Sequence, residues 1–147
     1  MTAFVTAAAG FLLAVLWFDL MFDVQVRRPH DRERAVASMA AYYRRVTLEA
    51  YPMNRLVAVV MAAAVAALVA QVADGQAPRW VSIASLGLTL AATALAVGHT
   101  FRNGARLGSG RGTAAERGEL ARLMLRDHVV CLAAIVGVLA LQLGFAS

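Results

Sequence analysis

The chain has 147 residues, of which 61% are hydrophobic and only 16% are charged. A soluble domain has about 45–50% apolar and about 25% charged residues, so this composition argues against an ordinary soluble enzyme and against a disordered chain. The single cysteine, Cys131, excludes an intrachain disulfide, and the absence of lysine excludes Schiff-base chemistry on that residue type.

Four uncharged runs follow one another along the chain, at residues 1–18, 56–73, 80–98 and 129–146. Each is close to the ~20 residues that a helix needs to cross a hydrocarbon core of about 30 Å. The sequence therefore predicts an all-α integral membrane protein, a single-domain antiparallel bundle of four transmembrane helices with long cytoplasmic helical extensions. We place the spans at about 3–23, 53–73, 79–101 and 127–146.

Two segments outside the spans carry helical signals. Residues 31–50 begin with Asp31 after Pro29 and have apolar residues at helical spacing, which predicts an amphipathic helix with Asp31 as its N-cap. Residues 113–126 begin with Thr113 and have Glu116 three residues later, which is the pattern of a capping box. The helix that starts there can continue unbroken into the fourth span.

The arginines are unevenly divided among the connections between the spans. Segments 23–52 and 101–127 hold six arginines each, whereas the short connection 74–79 holds one. By the positive-inside rule, the two arginine-rich segments are expected in the cytoplasm and both termini outside, in a multi-pass protein of the cell membrane. The net charge of +5 then reflects orientation and contact with the lipid bilayer, so we do not expect nucleic acid as a partner.

All four spans bring ionisable or amide groups to the cytoplasmic end of the predicted bundle. At ~1.5 Å per residue from the span midpoints, Asp19 lies about 10 Å, His128 about 13 Å and His99 about 15 Å from the midplane. Ionisable groups at such depths usually face the bundle interior and pair, so these three are expected to share one pocket as catalytic groups. His128 and Asp127 are expected to point in different directions, because consecutive helical residues lie about 100° apart. The residues expected to bind a substrate are Trp17, Asp23, Glu49, Tyr51, Asn54, Arg102, Asn103 and Asp127.

Several chemistries remain open for this layer. Two histidines could ligate a haem, or a histidine and a carboxylate beneath an apolar cavity could act as a general base. A metal ion that prefers nitrogen and oxygen ligands is also possible; otherwise the cofactor is none or unknown. The candidate metal ligands are His99, His128, Asp19, Asp23 and Glu49.

The order of spans and polar clusters resembles the small four-span proteins of the anthrone-oxygenase-like family. The matching stretches are Ala35–Met39 through Tyr51-Pro52, Thr100–Asn103 after the third span, and Arg126–His128 at the start of the fourth. The resemblance implies an oxidoreductase that oxygenates a lipophilic phenol or anthrone without a cofactor.

The same resemblance implies roles for individual side chains. His128 or His99 would be the base, and Asp19 or Asp127 would orient the imidazole. The residues implied to stabilise the oxyanion are Asn103, Arg102 and Asn54.

A second class of function fits the sequence equally well. The chain could be a non-enzymatic membrane subunit or a homo-oligomer that binds or transports a small ion, a metal or a lipophilic small molecule. Alanine-rich spans support close helix packing in either case. An enzyme is expected to enclose the polar layer in a pocket, whereas a subunit is expected to place it at an interface.

Overall fold

The computed structural model describes residues 1–27, 31–49 and 51–146, and it leaves the side chains of Leu48, Tyr51 and Pro52 undescribed. Pro29 and His30, which precede the predicted N-cap, lie outside the described residues. The helices are α1 (Thr2–Asp23), α2 (Arg32–Tyr43), α3 (Tyr51–Asp74), α4 (Arg79–Leu95), α5 (Phe101–Gly108) and α6 (Ala114–Phe145). A 3-10 turn, Val24–Arg27, follows α1, and π-helical turns follow α2 (Arg44–Glu49) and join α4 to α5 (Ala96–Thr100). No strand lies among the described residues.

Four helical stretches are long and apolar enough to cross a membrane: Thr2–Arg27, Met53–Asp74, Arg79–Gly108 and Ala114–Phe145. Helix α1 packs against α3 and α6, and α4 packs against the same two helices, so the four helices form a closed ring. At one end of the ring, the amino terminus donates to Gln76 over 3.2 Å, and the Thr2 hydroxyl lies 3.5 Å from the Ala146 carbonyl oxygen. The predicted all-α membrane bundle is confirmed.

Two apolar cores lie at different levels of the molecule. The bundle core joins α1, α3, α4 and α6 through residues such as Leu12, Leu68 and Ile135. The second core packs α2 against α5 and the first turns of α6, with Met39, Leu107 and Met124 fully or almost fully buried. α2 and α5 therefore form a packed extension of the bundle rather than loose connections.

The two predicted helix starts differ in their capping. Thr113 and Glu116 form the predicted capping box: the Thr113 Oγ1 accepts from the Glu116 backbone N–H, and the Glu116 Oε2 accepts from the Thr113 backbone N–H at 2.7 Å. Asp31 occupies the N-cap position of α2, but its side chain makes no capping hydrogen bond. It lies instead 4.0 Å from Arg34, an exposed ion pair that contributes little stability.

Gly108 allows the closest approach between α5 and the end of α2. A Cβ at this position would lie 2.7 Å from the backbone nitrogen of Arg44 and 2.9 Å from the backbone carbon of Tyr43. Neither backbone atom can move without separating the two segments. A side chain larger than hydrogen is therefore excluded by the packing itself.

We expect Gly108→Ala to lower the free energy of unfolding by about 1–3 kcal/mol, because overpacking forces the backbone apart. Gly118→Ala is the matched control. Gly118 lies within α6 and has open space where a Cβ would stand, so alanine there should stabilise the helix by up to about 1 kcal/mol. Thermal unfolding of both variants in detergent measures the difference. Equal midpoints for the two variants would show that the close approach does not exist.

Candidate functional site

A layer of polar side chains separates the two apolar cores. It is built by the end of α1, the end of α2, the π turn between α4 and α5, and the middle of α6. The layer divides into two hydrogen-bonded groups, which lie on different faces of α6. We call them the Asp23 group and the His99 group. The members of the Asp23 group are Asp19, Asp23, Tyr42, Tyr43 and His128, and those of the His99 group are His99, Asn103, Arg126 and Asp127.

Asp23 is the centre of the first group. Its carboxylate is fully buried, accepts a 2.8 Å hydrogen bond from the Tyr43 hydroxyl, and lies 2.5 Å from the His128 Nδ1. The Tyr43 and His128 rings are nearly parallel, with centroids 6.2 Å apart. Three helices, α1, α2 and α6, are thus joined at one buried point.

Asp19 lies one turn earlier on the same face of α1, as its spacing of four residues from Asp23 requires. Its Oδ1 accepts a 2.7 Å hydrogen bond from the Tyr42 hydroxyl, and its Oδ2 lies 3.8 Å from the His128 Nε2. The Tyr42 ring also stacks on Phe22, with centroids 4.2 Å apart. Two adjacent tyrosines of α2 therefore each donate a hydrogen bond to one carboxylate of α1.

Tyr42 and Tyr43 act as donors in this arrangement. Burial, and then the charge of the neighbouring carboxylates, raises the pKa of both phenols well above the usual value for tyrosine. Both hydroxyls therefore keep their protons throughout the physiological range. The sequence did not indicate this role for Tyr43, because Tyr43 continues the apolar stripe of α2 and has the spacing of a packing residue.

The His99 group lies between α6 and the π turn that follows α4. The His99 Nδ1 contacts the Asp127 carboxylate, and Arg126 lies 3.4 Å from the other Asp127 oxygen. Asn103, one turn after His99, places its side-chain nitrogen 3.2 Å from the His99 ring. Asp127 is almost fully buried, whereas the His99 side chain remains 39% exposed.

The expected triad of Asp19, His99 and His128 does not form. His128 meets Asp19 and Asp23 on one face of α6, whereas His99 meets Asp127 on another. The physical reason is the 100° offset between consecutive residues of α6, which turns Asp127 away from His128 and toward α4. The expectation of one shared histidine pocket was therefore wrong, although the residue count had placed both histidines at similar depths.

Most of the other expected binding residues lie apart from the Asp23 group. Trp17 is 62% exposed on the outer face of α1, and Arg102 is exposed as well. Glu49 pairs with Arg44 at 3.4 Å on the surface, so it cannot join the histidines as a metal ligand. Asn54 donates a 3.4 Å hydrogen bond to the Thr47 carbonyl oxygen, and the Tyr51 side chain lies outside the described residues.

The geometry does not fit the expected metal site. Within the described ranges, no group of three or more His, Cys, Asp and Glu residues is arranged to hold a metal ion. The proposed ligands are divided between the two polar groups and the Glu49 ion pair, and a haem bound by both histidines would require them on one face.

Two small cavities adjoin the Asp23 group. The inner cavity, about 70 Å³, is lined by all four spanning helices and includes Asp19, Thr93 and His128. The second cavity, also about 70 Å³, lies toward α2 and shares Asp19 and His128 with the first. Sites for drug-sized ligands have volumes of about 300–1,000 Å³, so neither cavity holds a tricyclic substrate such as an anthrone.

A second polar cluster lies in the opposite half of the bundle. The Gln71 and Gln142 side-chain amides exchange two hydrogen bonds of 3.2 Å, and Gln142 also donates to the Ser85 Oγ at 3.0 Å. Both glutamines are almost fully buried. This cluster links α3, α4 and α6 through uncharged side chains. The sequence alone does not predict which of these side chains meet, because that depends on how each helix is rotated about its axis.

Comparison with known proteins assigns the chain to a family. The model of the SHR3 chaperone family, described as ER membrane protein SH3, matches residues 1–146. The chain belongs to this family. No curated protein and no solved structure matches the chain.

The family match corrects the functional interpretation of the sequence. The resemblance to anthrone oxygenases was wrong, and so was the oxidoreductase function that it implied. The stretches that carried it are short, and those after the third span and at the start of the fourth are clusters of polar residues. The non-enzymatic alternative agrees better with a chaperone family.

Proposed function

We propose that this protein is a non-enzymatic membrane chaperone that holds other multi-span membrane proteins before they assemble. The observation that carries the proposal is the family match, which extends over residues 1–146. The site supports it in two ways. The cavities are too small for a lipophilic substrate, and the Asp23 group links helices of the chaperone itself.

The lateral surface of the bundle is the surface that a membrane-embedded client would meet. Large apolar side chains are exposed on each of the four spans, including Phe18 on α1, Val59 on α3, Ile83 on α4 and Leu143 on α6. In lipid, helices associate through close packing and occasional polar contacts rather than through exclusion of water. Such a surface can bind and release a client helix at little cost in free energy.

Site-specific photocrosslinking in cells tests this function. A photoreactive amino acid at Phe18, which is 60% exposed in the span, should crosslink to newly made multi-span proteins, and the crosslinks should decay during a chase. The same amino acid at the exposed Arg111, outside the span core, is the control and should give few of these products. Crosslinks only to other copies of this chain would contradict the proposal and favour a homo-oligomer.

The orientation in the membrane is also a proposal. We infer from the arginine distribution that α2, α5 and the start of α6 lie in the cytoplasm, and that both termini lie on the opposite side. The family description refers to the ER membrane, and we propose that membrane, rather than the cell membrane, as the location.

Cysteine labelling measures this orientation. In sealed vesicles with the cytoplasmic face outward, Ser109→Cys should react with a membrane-impermeant reagent, because Ser109 is exposed beside α5. Gln76→Cys, at the opposite end, should react only after the vesicles are opened. The native Cys131 is buried and supplies the background rate. If only Gln76→Cys is labelled in sealed vesicles, the orientation is the opposite of the one proposed.

A further inference from the structure

The two cavities beside the Asp23 group share part of their lining, and we call them together the recess. Both are partly open, and they share lining residues from α1, α3, the π turn, α5 and α6. The shared residues are Val15, Asp19, Val57, Thr100, Phe101 and His128. The recess therefore lies at the edge of the polar layer, with Asp19 at the boundary between its two halves.

Two polar atoms at this recess lack hydrogen-bond partners among the described residues. The Asp19 Oδ1 accepts from Tyr42, but the hydrogen bonds of the described residues give Oδ2 no donor, and the His128 Nε2 is 3.8 Å away. The Thr93 hydroxyl, also in the lining of the inner cavity, is buried without a hydrogen-bond partner in the described part of the chain. Buried polar atoms are normally hydrogen-bonded, and of these two only the Thr93 hydroxyl is fully buried without a partner. The Asp19 Oδ2 keeps its 3.8 Å ion pair with His128 and can still accept a hydrogen bond, so the recess offers a hydroxyl and a carboxylate oxygen to a polar guest.

The size of the recess limits the guest to part of a side chain. Each half has a volume of about 70 Å³, which is far below that of a pocket for a drug-sized molecule. Leu12, Leu16, Met61 and Ile135 make the inner wall largely apolar. An apolar wall that leads to a carboxylate is complementary to a long side chain with a methylene stem and a charged end, which describes lysine and arginine.

We propose that the recess receives one basic side chain carried by a transmembrane helix of a client protein. This inference rests on the proposed chaperone function and adds the chemical feature that the site recognises. A basic residue within an unassembled span is costly to leave in lipid and pairs with an acidic partner where one is available. Asp19 is that partner. The other titratable groups around it are Asp23, Tyr42, Tyr43 and His128. His128 can carry a positive charge and forms an ion pair with Oδ2 at 3.8 Å, but it does not donate a hydrogen bond to that oxygen.

The depth of Asp19 specifies where the client's basic residue must lie. Counting about seven residues from the middle of the first span, at ~1.5 Å per residue, places Asp19 about 10 Å from the bilayer midplane. A basic side chain at the centre of a client span would lie too far away to reach the carboxylate without tilting. The recess therefore favours basic residues toward one end of a span.

Binding of synthetic helices in phosphatidylcholine vesicles tests the inference. The probes are fluorescent leucine–alanine helices of about 20 residues, with Lys, Leu or Glu about seven residues from the centre, or with Lys at the centre. The off-centre Lys helix should bind the full-length protein at least about tenfold more tightly than the Leu helix, which corresponds to ~1.4 kcal/mol. Asp19→Asn should reduce this affinity to that of the Leu helix. Asp74→Asn should leave it unchanged, because Asp74 is an exposed carboxylate at the end of α3, in the opposite half of the bundle.

The outcomes separate this inference from the chaperone proposal. Equal affinity of the wild-type protein for the Lys and Leu helices would overturn the basic-residue inference and leave the chaperone function intact. Stronger binding of the Glu helix, or of the central Lys helix, would overturn it in the same way. Absence of binding to every helix would contradict both proposals. The comparison among helices uses the wild-type protein, so it does not depend on the folding of a variant.

Discussion

Replacing Asp23 with alanine lowers the free energy of unfolding by about 3–5 kcal/mol, the loss expected when one partner of a buried ionic pair is removed. The fully buried carboxylate bonds to Tyr43 and His128, so its removal leaves a phenol and an imidazole without their acceptor. For a chain of this size, the thermal midpoint in detergent should fall by on the order of 10 °C.

Two comparisons identify the cause of that loss. Asp74→Ala removes a carboxylate that is exposed at the end of α3, and its effect should stay within about 0.5 kcal/mol. The double variant Asp23→Leu/His128→Leu should lose less stability than the sum of the losses in Asp23→Leu and His128→Leu, because it removes both partners. Strict additivity of the two single losses would contradict a direct pair between Asp23 and His128.

Leu107→Ala lowers the free energy of unfolding by about 2–5 kcal/mol through loss of contacts and the cavity left behind. Leu107 is completely buried where α5 packs against α2 and α6, in the second apolar core. Leu143→Ala is the matched control, since Leu143 is 65% exposed on the part of α6 that faces lipid. The measurement is thermal unfolding, together with amide exchange of α2, which should become faster only in Leu107→Ala. Equal stability of the two variants would show that the α2–α5 unit does not stabilise the protein.

The spanning helices could be predicted from the sequence because the length of an uncharged run can be read along the chain without knowledge of tertiary contacts. An uncharged run of sufficient length has one stable form in lipid, whatever its neighbours are. The capping box at Thr113 and Glu116 is equally local, since both partners lie within one turn. The depth of each polar residue follows from counting along the same helices.

The pairing within the polar layer could not be predicted in the same way. It depends on how far each helix is rotated about its axis, and residue counting along an ideal helix does not give that rotation. His99 lies within a π-helical turn, Ala96–Thr100, where the wider turn shifts the face that the side chain occupies. Asp127 has the sequence position of a residue at the end of a span, yet it is buried against that turn.

The functional interpretation failed for a different reason. Four spans with polar residues at one end are a common architecture, and architecture alone does not specify chemistry. The short stretches around Tyr51, Asn103 and His128 matched a pattern of polar residues rather than a set of interacting atoms. The structure places His99 and His128 in separate groups, and the family match assigns the chain to the SHR3 chaperone family.

Cell-free synthesis of a multi-span membrane protein into liposomes tests the chaperone function most directly. One set of liposomes contains this protein, and the matched set contains an unrelated four-span protein at the same density. If this chain is a membrane chaperone, its liposomes should yield a smaller aggregated fraction and a larger folded fraction of the newly made protein. Equal aggregated fractions in the two sets would contradict the chaperone function.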